Sequence, residues 1–170
     1  MADSSVTSVL SFRNYKIDIF EFKMAPKIAM LLEPADLVDS KDVMYNYSLR
    51  QPTYLKKTNA YISGFNFELR FFSKDMTREE RVQKPEDCLI ELKTGIVGFF
   101  DIGGETRLGQ DVELRLVQVN GSAILFPYLR AAVSLHLASA GFPAFLFPIL
   151  NINSLAKNAG QEVSFHEIDI

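Results

Sequence analysis

Cys88 is the only cysteine of the chain, and its two histidines stand far apart at 136 and 166. A thiol nucleophile needs a base beside it, and none can be assigned to Cys88, which reads instead as a small hydrophobe on a strand. His136 falls inside an apolar run and reads as a packing or interface residue, while His166 belongs to a tail expected to move freely. The pair lacks metal-ligand spacing, so no metal is expected. Gly103 to Gly109 contains glycines but neither a dinucleotide fingerprint nor the Lys-Ser/Thr of a phosphate loop, and reads as a turn. No cofactor is expected, and the chain does not read as an enzyme. What remains is adhesive chemistry. Fourteen Phe and six Tyr against no Trp mean either a β-rich core or a surface for another chain.

With 170 residues, 48% apolar and 23% charged, the composition is that of a single globular domain. Formal net charge is -3, and the 18 Lys and Arg are scattered. Such a pattern offers no footprint for nucleic acid or an anionic membrane surface. A lone cysteine suits a reducing cytoplasm. Met1 to Ser8 is polar, carries Asp3 and lacks basic residues, so export is not expected.

Alternation predicts strands from Val9 to Phe22, from Val43 to Leu49 ending before Pro52, and from Tyr61 to Phe71 with a slip at Ser63. A fourth follows from Cys88 to about Ile102, with a bulge or bend suggested at Gly95 and Gly98. Ser73 to Asp87 reads as a charged loop, and Pro34 to Asp39 as a crossover or short helical turn. The strands form a four-stranded antiparallel meander with one irregular crossover. Glu105 to Val119 suits either a helix or an extended stretch. From Ala123 to Ala140 the residues are strong helix formers stopped by Gly141, and Pro127 is expected in the first turn.

That helix is apolar almost all round, with Tyr128 and Leu135 on one stripe and Val133 and Leu137 on another. One sheet covers one face only, so flanking segments or a second subunit must cover the rest. Tyr128, Val133 and Leu135 are therefore candidate interface residues. The run from 123 to 150 is interrupted by Gly141, Pro143 and Pro148, which argues against stable membrane insertion.

The blocks Ile124-Leu-Phe-Pro-Tyr-Leu-Arg130 and Gly141-Phe-Pro-Ala-Phe-Leu-Phe-Pro-Ile-Leu-Asn151 resemble the carboxy-terminal signature of the protein-export chaperone family SecB, with matching spacing through Leu155. The amino-terminal half matches by strand pattern alone. The resemblance implies an α+β subunit, a four-stranded antiparallel sheet packed against a long C-terminal helix, assembled as a dimer of dimers. One domain would span 1–170, with the sheet in 8–102, helices in 105–156 and a short tail in 157–170. It further implies an ATP-independent holdase for unfolded polypeptides, among them preproteins for export, working in the cytoplasm as a homotetramer.

By the same resemblance, Ile90, Leu92 and Thr94 would lie at the contact between dimers, and Leu89 and Glu91, with Asp18, would face the translocation motor SecA. Phe65, Phe67, Phe142, Phe145 and Phe147 would line client grooves. The family's first strand carries a Glu four places after its Asp, on the same face. Here that place is Phe22, and Glu21 has the opposite parity in a regular strand. This departure, with a tail whose acids are only Glu162, Glu167 and Asp169, leaves room for a chaperone dedicated to one client, such as the antitoxin of a toxin-antitoxin module. The rival from another class is a helix-on-sheet enzyme for an apolar acyl substrate.

Overall fold

The chain is seen in a computed structural model, which describes residues 9–26, 43–72, 76–103, 108–142, 147, 150–152, 154 and 164–169. Pro34 to Asp39 and Phe145 lie outside the described residues.

The sheet is built on two long central strands, β4 (Ala60–Phe72) and β5 (Cys88–Ile102), paired antiparallel from Tyr61 opposite Phe100 to Phe71 opposite Ile90. Strict alternation puts Phe65, Phe67, Leu69 and Phe71 on one side with Ile90, Leu92, Ile96 and Phe100, and all are at most 2% exposed. Ser63 keeps this phase and is buried, so the expected slip is absent. It is a small residue where the helix comes close, 3.3 Å from a Cβ placed at Gly121.

β1 (Leu10–Met24) pairs with the other side of β5 and forms one border of the sheet. Along the far side of β4 run β2 (Val43–Leu49) and then β3 (Thr53–Leu55), separated by Arg50 to Pro52. Two of the six strands among the described residues were not expected. β3 is the short continuation of β2 past Pro52, and β6 (His166–Ile168) pairs parallel with β3. The region around His166 is thus an ordered strand and not a free tail, because Phe165 is buried against Tyr61 and draws the segment in.

The expected charged loop also contains structure. Thr77 and Glu80 form a reciprocal capping box that starts helix α1 (Arg78–Gln83).

Of the stretch left open between strand and helix, Gln110 to Val119 extend the helix, while 105–107 lie outside the described residues. α2 (Gln110–Arg115) runs through a π-type turn at Leu116–Asn120 into α3 (Gly121–Ser139). Pro127 therefore sits inside a continuous helix, not in its first turn. It is tolerated because this side faces solvent, where water can satisfy the carbonyl that Pro127 cannot serve. Gly141, at φ 85°, ends α3 as expected: its N–H bonds to Ala138 and that of Phe142 to Leu137.

α3 packs on β5, β4 and β1 through Leu125, Leu129, Val133 and Leu137, each at most 1% exposed. Gly98 allows this approach, since a Cβ there would stand 2.6 Å from Leu125. The other face of the sheet carries charges, and α3 does not cover it; the connection between β4 and β5 reaches its edge, where Arg81 lies over the Phe72 ring and Pro85 borders Arg70 and Glu91.

Candidate functional site

Two surfaces follow from this architecture. The first lies where the border strand β1 meets α3. Tyr15 and Tyr128 meet tilted with ring centroids 4.5 Å apart, Phe12 adjoins both at 6.5 and 5.5 Å, and Phe20 lies 3.8 Å from the His136 ring. Further along, Phe22 meets Phe142 edge-on at 6.4 Å. The strip is not sealed: Tyr15, Phe20 and Tyr128 are 36–38% exposed and Leu135 is 67% exposed.

Bulges place these rings. Register shifts fall between Phe12 and Asn14 and between Ile17 and Ile19, so Arg13 and Asp18 are extra residues against β5. Each bulge reverses the phase of the residues after it, which keeps Phe12, Tyr15, Ile17, Phe20 and Phe22 all toward the helix. The sequence carries the trace of this: its apolar residues are odd-numbered at 15 and 17 and even-numbered at 20 and 22.

The second surface is the charged face of the sheet, opposite α3. Glu91 is met by Arg70 at 2.9 Å, Lys93 at 3.4 Å and Lys23 at 3.6 Å, and Arg70 also holds Glu68 at 2.6 Å. Burial pushes the Glu91 carboxyl up, but the charges of Lys93, Arg70 and Lys23 together outweigh it and hold it below the usual range. Asp18 is lowered by its hydrogen bonds from Arg50. The bulge at Asp18 also corrects the parity expected of Glu21, which pairs with Lys93 and lies on the same charged face. There it borders a depression of about 290 Å³ with Ile19, Asn46, Ser48, Asn66 and Lys93.

Other expected site residues are placed differently. Leu89 borders one depression together with Lys23, Arg70 and Glu91. It is the extra residue where β5 shifts register against Phe71 and Phe72, and it turns into the core at 6% exposure. Ile90, Leu92, Thr94 and Val133 are closed under the chain's own helix and need no partner for their burial, whereas Tyr128 and Leu135 remain open. Phe65 and Phe67 are core residues at 1%, and Phe142 and Phe147 are 6% and 7% exposed. Cys88 donates to the carbonyls of Ile90 (3.0 Å) and Phe71 (3.5 Å), and burial pushes its thiol up, away from the thiolate a nucleophile needs. His136 is spent on the Ala132 carbonyl at 2.8 Å and on Phe20. Among the described residues no group of three or more His, Cys, Asp or Glu could hold a metal, and no helix is long and apolar enough to cross a membrane.

No family model matches the chain. It is similar to the protein-export protein SecB of Anaplasma phagocytophilum, 30% identical over 89 residues, which are 49% of this chain and 55% of that protein. It is also similar to an uncharacterized protein of Methanocaldococcus jannaschii, 32% identical over 69 residues, 41% of this chain and 43% of that one. These matches span about half the length of the relatives. Among solved structures, the SecB-like chaperone Rv1957 of Mycobacterium tuberculosis, in complex with a ChAD peptide from the HigA1 antitoxin, superimposes with a TM-score of 0.57 at 15% identity, covering 84% of this chain and 91% of that one. The chain is SecB-like. The match covers the sheet and the C-terminal helix as one SecB-like fold.

Proposed function

We propose that this SecB-like chain is an ATP-independent holdase that keeps unfolded polypeptides soluble in the cytoplasm. The observation that carries the reading is the half-open aromatic strip of Tyr15, Phe20 and Tyr128 beside the border strand β1. Covering a ring that is about a third exposed is worth roughly 1–2 kcal/mol, so affinity has to come from several such contacts plus main-chain pairing. This is binding that tolerates many sequences. Leu135, on the open side of α3, is suited to a second subunit, and a homotetramer is part of the proposal.

The test is suppression of aggregation of a slowly refolding protein, with and without ATP. Suppression near stoichiometric ratio and indifferent to ATP supports the reading; none at any ratio sinks it.

Who receives the client divides the proposal. General export would use SecA, reached through Asp18 and Glu91. A chaperone dedicated to one client, such as an antitoxin, is favoured by one observation: both of these acids are already held by cations of the same chain. Titration with purified SecA separates the two.

A further inference from the structure

Among the described residues, the segment 164–169 is held on the sheet by contacts of a kind that another polypeptide could supply, including the Gln51 Nε2 bond to the Ser164 carbonyl at 3.0 Å. β6 pairs with three residues of β3 in parallel, Thr53 with His166, Tyr54 with Glu167 and Leu55 with Ile168. The His166 N–H donates to the Pro52 carbonyl at 2.9 Å and the Lys56 N–H to that of Ile168 at 3.0 Å. One side chain is inserted. Phe165 is 8% exposed and lies 5.4 Å from the Tyr61 ring, which in turn meets Tyr54 tilted at 5.0 Å. One ion pair follows two residues later, Lys56 Nζ to Glu167 Oε2 at 2.8 Å, and it stands in solvent. The remainder of the strand is open, with Ser164, His166 and Glu167 all exposed.

We infer that β6 is an internal stand-in for client: the β3 edge is an acceptor for an extended segment bearing an aromatic residue and then an acid two places on, and residues 164–169 cover it until such a segment displaces them. The inference rests on the holdase reading. Main-chain pairing is indifferent to sequence, so the edge accepts unfolded chains in general, while the Tyr54–Tyr61 pocket and Lys56 set the preference. A short parallel pairing with one buried ring opens without disturbing β4 and β5, which are paired over their length. Covering the edge also protects it from pairing with other copies when no client is present.

The test uses the full chain, wild type and Phe165→Ala, with reduced and carboxymethylated α-lactalbumin as a permanently unfolded probe. If the strap is closed about four-fifths of the time, Phe165→Ala binds the probe about fivefold more tightly. The free peptide of residues 164–170 then competes that gain away. In the wild type, hydrogen exchange with saturating probe shows His166 to Ile168 losing protection while Lys56 keeps its own. Bound probe with unchanged protection at 166–168 overturns this inference and leaves the holdase standing. Absence of probe binding by both proteins overturns the holdase reading and this inference together.

Discussion

Arg50 crosses two strands to reach Asp18. Its Nε donates to Asn66 on β4 at 2.8 Å, and its Nη2 donates to Asp18 Oδ1 on β1 at 2.9 Å, with Gly95 of β5 beneath. A Cβ on Gly95 would stand 2.0 Å from that Nη2 and 2.8 Å from Asp18 Oδ1. The bulge, the glycine and the arginine thus form one arrangement, and Gly95→Ala is expected to displace the guanidinium and leave the fold intact. The measurement is the Asp18 carboxyl titration by NMR. It should rise toward the ordinary carboxylate value in the variant, and an unchanged titration would show that the pair survives the methyl group.

Acid should weaken the fold through the same groups. Asp18 and Glu91 are both lowered in the folded state, so their contribution is present above the unfolded values near pH 4 and is lost as pH falls through the folded ones. Urea midpoints measured between about pH 5 and pH 2 should therefore fall, and Asp18→Asn should flatten this dependence. A variant as steep as the wild type would remove Asp18 from the account.

Charge placed on the two sides of the helix layer should act differently. Leu92 is 0% exposed within the chain, so Leu92→Asp should cost about 4 kcal/mol or more and unfold the subunit. Leu135 is 67% exposed in one chain, so Leu135→Glu should leave the fold intact and, if α3 faces a second subunit, lower the mass seen by light scattering. Circular dichroism alongside scattering distinguishes loss of fold from loss of assembly.

Pro127 interrupts an exposed stretch of continuous helix. Pro127→Ala restores a donor for the carbonyl one turn back and should raise stability by about 1–3 kcal/mol, read from denaturant unfolding. A loss of stability would mean that the ring itself is packed.

A SecA contact, should one be measured, would be salt-sensitive, since exposed pairs are screened within about 8 Å at physiological ionic strength. Glu91→Lys is a poor probe of it, because it would put a fourth cation among Lys23, Arg70 and Lys93. Glu21→Gln and Glu91→Gln in titration calorimetry are cleaner. No change in affinity for either would place the contact away from this face.

Much of this protein was legible in the sequence because alternation and helical stop signals are local. The phases of β4 and β5 follow from period two, and the end of α3 follows from Gly141, whose positive φ suits glycine. The two aromatic signature blocks fall on and just after α3 and carry the family resemblance. Tertiary structure decided what depends on insertions in the ladder and on distant segments. Asp18, Glu21 and Leu89 could not be assigned a face by counting, since one bulge residue reverses every later side chain and its presence depends on the partner strand. Likewise, His166 to Ile168 become a strand only because Tyr61, against which Phe165 is buried, and the β3 edge, far away in the chain, are there to receive them.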